Sequence, residues 1–158
     1  MRVLRLVTLL CAALVTGLAF AHVLELPQKL DYDARWYLQV QHTLYAYFGY
    51  VGAPLEIAAI IGAAALAYLG RGRPGAGWTL AGALLLAMGL LSWALIVQPA
   101  NAEFGRWTVE RIPADWTAVR ARWEAGHVVH FAFFVTGLAA LIWGGTDRGR
   151  YGRRGGGP

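Results

Sequence analysis

Four histidines, His22, His42, His127 and His130, are the side chains of this chain best suited to chemistry near neutral pH. Imidazole exchanges a proton in that range and is the commonest metal ligand. Carboxylates accompany three of them. Glu25 lies three residues after His22, Glu124 three before His127, and His130 three after His127. Three positions are about 60° around a helix, so Glu124-x-x-His127-x-x-His130 forms one stripe. Glu-x-x-His pairs on facing helices are how bundles hold two metal ions. The set His22, Glu25, Glu56, His127 and His130 suits iron, copper, manganese or zinc. Haem held by two of His22, His127 and His130 is the rival cofactor. Beside such a cofactor Glu25, Glu56 or Glu124 is a further ligand or proton acceptor; with no cofactor, His127 as base and Arg120 or Arg122 as anion stabiliser would let an electron-rich substrate react directly with oxygen. His42, Asn101, Trp116 and Trp123 are the candidate substrate pocket.

Each residue also has a plainer reading. Arg120 is four residues before Glu124, a helical ion pair, and Arg122 can snorkel to the membrane edge. A lone histidine at a membrane edge is often a packing residue, and Glu56 can be held by a structural hydrogen bond. Cys11 is the single cysteine and sits in an apolar run, where it packs as a small hydrophobe. Ser92 is the only serine and lies away from the histidines, which argues against a serine triad.

The elements that must position these groups are apolar. The chain has 158 residues, 58% of them hydrophobic and 15% charged. Soluble domains carry about 25% charge, so an integral membrane protein is expected. Four segments near the ~20 residues that cross a bilayer can be drawn, at about 6–26, 45–69, 78–97 and 126–143. They predict one all-α domain over 1–147, a membrane four-helix bundle. Gly62, Gly77, Gly82 and Gly89 are expected to let helices approach closely. Residues 148–158 are expected to form a disordered, Gly-rich basic tail in contact with membrane lipid.

Basic residues set the orientation. Arg2 and Arg5, Arg71 and Arg73, and Arg148, Arg150, Arg153 and Arg154 all fall on one side of a four-span chain, which the positive-inside rule makes cytoplasmic. Both termini are then cytoplasmic, and every histidine falls at the outer end of a span. The net charge of +5 is therefore a topology signal. No nucleic acid is implied, and "GRGRPG" lacks the context of a phosphate loop. Trp107, Trp116 and Trp123 suit an interfacial belt or a pocket wall. A break is expected at Pro113, with a helix running from near Asp115 into the last span.

The segment "GLAFAHVLELP" has two readings. Ala19-Phe20-Ala21 has the form of a signal-peptidase site, which would free His22 as an N-terminus. The apolar run continues past it through "HVLEL", which favours a retained helix ending at Pro27 with His22 as a side-chain wall of the outer pocket.

Four blocks, "GLAFAHVLELPQKL", "VQHTLYAYFGYVGAPLEI", "WALIVQPANAEFGRW" and "PADWTAVRARWEAGHVVHF", in this order resemble the family of small four-span membrane proteins that includes the anthrone oxygenases. The likeness covers nearly all of the chain except the basic tail. It implies a membrane four-helix bundle; with the charge pattern above, the expected location is the bacterial inner (cytoplasmic) membrane with the site on the periplasmic side. It also implies functional polar and aromatic residues near Asn101, Trp116, Arg122, Trp123 and His127. The fungal members insert oxygen at an activated anthrone carbon. His130 stands where many members have arginine, a departure that bears on substrate and cofactor. The expected function is a membrane oxidoreductase acting on a small apolar, aromatic or quinol-like molecule. The alternative is a non-enzymatic haem- or metal-binding accessory subunit of an electron-transfer complex. A homo-oligomer is a further possible partner arrangement.

Overall fold

The computed structural model describes residues 1–154, except the side chains of Ala46 and 147–154. The chain is all-α: α1 Arg2–Leu30, α2 Ala34–Thr43, α3 Ala46–Leu69, α4 Ala76–Ser92, a π-helical turn Trp93–Val97, α5 Gln98–Phe104 and α6 Trp116–Arg154. Four stretches are long and apolar enough to cross a membrane: Arg2–Leu30, Tyr47–Leu69, Ala76–Phe104 and Trp116–Thr146. The last of them continues as helix to Arg154. The expected disordered tail is thus helical from 148 to 154, and its remainder, 155–158, lies outside the described residues. The first helix is continuous through Ala21 and His22.

One end of the bundle gathers arginines. The α3–α4 turn bends through Gly72 and Gly75, at φ +75° and +77°, a left-handed conformation that favours glycine. Gly75 packs on Gly144 of α6, and Arg5 Nη1 donates to the Gly145 carbonyl at 3.4 Å. The first core lies inward of this end and is built from small residues, Ala12, Ala59, Ala63 and Ala83, with Leu86, Phe134 and Leu141. Backbones can come this close because side chains are missing at the contacts. A Cβ at Gly82 would lie 2.9 Å from the Gly137 carbonyl oxygen, and one at Gly62 would collide with Thr8. Gly77 faces open space and makes no such contact, contrary to expectation.

The other end gathers the histidines. There α2 lies across the bundle, its N-terminus capped by Asp33, whose carboxylate accepts from the Trp36 amide at 2.7 Å. Beneath it is a second core containing Tyr37, Leu38, Tyr45, Val97, Ala100, Phe104, Val119 and Trp123. Trp107 and Trp116 pack against this core, and Trp123 is only 2% exposed, so the wall reading holds for Trp123 rather than the belt. The exposed tryptophans are Trp36, Trp78 and Trp143.

The π turn has a local cause. Pro99 has no N–H, and its ring would press on the carbonyl one turn back. Opening the preceding turn relieves this, and the Gln98 amide reaches five residues back to the Trp93 carbonyl. One inserted residue rotates everything after it by about 100°. Asn101, inside α5, is thereby turned toward α6.

Candidate functional site

The site begins where α1 ends. Pro27 was expected to stop this helix, yet α1 runs on to Leu30. A helix terminus leaves carbonyls without partners, and here Arg120 of α6 supplies them. Its Nη1 donates to the carbonyls of Leu30 at 3.1 Å and of Lys29 and Tyr32 at 3.4 Å. The guanidinium also stacks on the Trp116 ring, 4.7 Å from its centroid. Arg120 is thus a cap for α1.

That extra turn buries Lys29, at 2% exposure, between two carboxylates. Its Nζ lies 3.0 Å from Glu124 Oε2 and 3.9 Å from Glu25 Oε2. The ammonium also sits over the rings of Trp123 and Tyr45, at 4.7 and 5.2 Å. Two phenols complete the network. Tyr37 donates to Glu124 Oε1 at 2.9 Å, and Tyr45 donates to Glu25 Oε2. Burial first, then the Glu124 charge, pushes the Tyr37 phenol far above its ordinary 10.0. Burial first, then the bond to Glu25, does the same for Tyr45. Both phenols therefore remain donors. Glu124 is consumed by Lys29 and Tyr37, so it neither extends the His127–His130 stripe as a ligand nor serves as a free proton acceptor.

Below this network a cavity of about 670 Å³ opens between the two cores. His22, His127 and His130 all line it, with Glu56, Asn101, His42, Gln41 and Trp123. The rings of His22 and His127 lie against each other, centroids 4.0 Å apart, and Trp123 packs on His127 at 4.1 Å. Each Nδ1 of this pair is buried without a hydrogen-bond partner, which leaves Nε2 as the nitrogen a ligand can meet. His130 is held differently, its Nδ1 3.1 Å from the Gly89 carbonyl. Glu56 Oε1 lies 4.0 Å from that nitrogen and has no hydrogen bond of its own. Asn101 accepts from Trp123 Nε1 at 2.7 Å through its carbonyl oxygen, so its two amide protons are available for a ligand. The rest of the wall is apolar, including Val15, Ala19, Phe48, Ala53 and Ile57.

Several expected participants stand elsewhere. Arg122 pairs with Glu103 near the surface, and neither it nor Arg120 reaches the cavity. Glu25 and Glu124 belong to the Lys29 network, and Trp116 packs on Tyr37 and Arg120 outside the cavity. His42 lines the cavity mouth but is tied to α5, its Nε2–H donating to the Phe104 carbonyl at 2.9 Å.

Among the described residues no three His, Cys, Asp or Glu side chains converge as a metal-ligand set. The His22 and His127 ring centroids lie 4.0 Å apart with 32° between planes, and those of His127 and His130 lie 6.4 Å apart.

Sequence reasoning missed Lys29, Tyr37, Tyr45 and Gln41. A signal existed for Lys29, whose i, i+4 spacing from Glu25 marks a helical pair. No local pattern marks the tyrosines, whose partners are 87 and 20 residues away. No family model, curated protein or solved structure matches this chain.

Proposed function

We propose that the chain is a membrane-embedded oxidoreductase, anthrone-oxygenase-like, that binds a small aromatic or quinol-like molecule in the histidine-lined cavity. It takes a proton from that molecule and lets the resulting anion react with dioxygen. One observation carries the reading: three imidazoles and the free amide protons of Asn101 meet in one largely apolar cavity. The base is His127. A hydroxyl or activated C–H proton passes to His127 Nε2, and the electron pair of the broken bond stays on the substrate. Asn101 stabilises the developing oxyanion by hydrogen bonding, the role first considered for Arg120 and Arg122. Dioxygen is the oxidant. A quinol anion gives up two electrons and its second proton to yield the quinone and hydrogen peroxide, whereas an anthrone carbanion bonds carbon to dioxygen as a hydroperoxide, whose O–O bond breaks with loss of water to leave the quinone; the apolar wall excludes competing water.

The arginine end faces the cytoplasm in this reading, and the cavity lies toward the outer, periplasmic side. The positive-inside pattern of Arg2, Arg5, Arg71 and Arg73 supports that orientation.

Oxygen uptake by the purified full-length chain, measured with a panel of anthrones and quinols, tests the proposal. His127→Ala is expected to abolish uptake that His42→Ala preserves. Uptake that survives in His127→Ala, or no uptake with any member of the panel, would sink it. A Soret band or stoichiometric metal in the purified protein would overturn the cofactor-free mechanism.

A further inference from the structure

The end of the cavity nearest His130 differs in its hydrogen-bonding sense from the end near Asn101. The Gly89 carbonyl takes Ser92 Oγ at 2.7 Å and His130 Nδ1 at 3.1 Å. A carbonyl only accepts, so the imidazole proton must be on Nδ1, and the neutral ring presents a lone pair at Nε2. Two contacts hold the ring in that pose. Phe134 stacks on it at 4.6 Å and 25° between planes. Phe134 in turn occupies the space that a side chain at position 89 would need, since a Cβ there would lie 2.6 Å from its ring. Gly89 thus provides both the acceptor for Nδ1 and the room for the aromatic backing.

Glu56 from α3 shares this end, with Oε1 buried and unpartnered. The titratable groups that face His130 are Glu56 on α3, His22 on α1 and His127 one turn back on α6. The contribution of α4 is a carbonyl and a hydroxyl whose proton is already committed to it. The Nε2 lone pair of this neutral ring can accept a hydrogen bond but cannot donate one.

We infer that His130 presents Nε2 to this end of the cavity as an acceptor that recognises a ligand hydroxyl, selecting a phenol or quinol over the matching quinone or diether. The inference rests on the proposed ligand-binding role of the cavity and adds its chemical and redox preference. The Asn101 end, which donates, takes a carbonyl, ether or oxyanion oxygen. A ligand with one hydroxyl can orient to satisfy both ends, whereas one with none cannot.

The test uses the full-length protein in lipid nanodiscs under anaerobic conditions. The probes are para-naphthoquinol, its mono-O-methyl ether, its di-O-methyl ether and the naphthoquinone. Binding is read by equilibrium dialysis. The quinol and mono-ether are expected to bind similarly, and the diether and quinone about tenfold more weakly, the cost of one lost hydrogen bond. His130→Phe is expected to bring all four probes to similar affinity. A wild type that holds the quinone as tightly as the quinol overturns the inference and leaves the ligand cavity standing. So does a preference that survives in His130→Phe. If no probe binds the wild type, the inference and the proposed function fall together. Should His130→Phe fail to fold, the four-probe series on the wild type decides alone.

Discussion

Lys29 Nζ lies 3.0 Å from Glu124 Oε2, and both side chains are buried where α1 meets α6. Ninety-five residues of chain separate them, so the pair fastens the first span to the last. Losing one partner of a buried pair strands the other charge and costs about 3–5 kcal/mol. Lys29→Met or Glu124→Gln should each lower thermal stability in detergent markedly. The double variant Lys29→Met/Glu124→Gln should be less destabilised than the two single losses combined. Additive losses would mean that the residues do not interact.

The two buried phenols predict an alkaline effect of definite sign. Tyr37 and Tyr45 hold their protons more tightly folded than unfolded. Their contribution to stability is therefore complete below an unfolded pKa of about 10 and is lost as pH rises beyond it. In an absorbance titration of tyrosinate, Tyr37→Phe and Tyr45→Phe should leave the signal that develops in the folded protein near pH ~10 unchanged. Each should reduce the later signal that accompanies unfolding. A loss of early amplitude in either variant would contradict the buried donor role.

Glycines of the same helix should respond in opposite ways. A Cβ at Gly89 meets the Phe134 ring at 2.6 Å, whereas one at Gly77 meets nothing within 4 Å. Gly89→Ala should destabilise by about 1–3 kcal/mol through overpacking. Gly77→Ala should be neutral or stabilising by up to ~1 kcal/mol, since alanine is the better helix former. Thermal unfolding of the two variants side by side checks both directions.

The arginines of α6 should also separate. Arg120 donates to three carbonyls at the end of α1, while Arg122 makes an exposed pair with Glu103. Arg122→Ala should cost less than ~1 kcal/mol, as surface pairs do. Arg120→Ala should cost more and should speed hydrogen exchange in the last turn of α1. Equal effects would remove the capping role.

The spans were legible because an apolar run near bilayer length has few other readings, and the histidine end was legible because each histidine falls at the same end of its span. Partner choice was not. Arg120 looked like a mate for Glu124 four residues away, yet its partners are carbonyls some 90 residues distant. Those carbonyls exist only because α1 continues past Pro27, and that extra turn is stabilised by Lys29 itself. Such mutual dependence leaves no local pattern. The close-packed glycines show the same limit. Gly82 and Gly77 have similar neighbours in sequence, and only the rotation of α4 against α6 distinguishes them.

The cavity wall has one further consequence. Tyr50 and Ile57 of α3 line the cavity and are also 78% and 49% exposed. Where this wall meets acyl chains, a lipid-soluble ligand of the proposed site would reach it at the concentration the ligand has in the membrane. Each buried methylene adds about 0.8 kcal/mol to partitioning, so a short alkyl tail on the ligand would raise local supply by orders of magnitude without touching the protein. Affinities for the proposed ligand would then be properly expressed as mole fraction in the membrane, and a weak site on that scale would still be filled by traces of ligand in water.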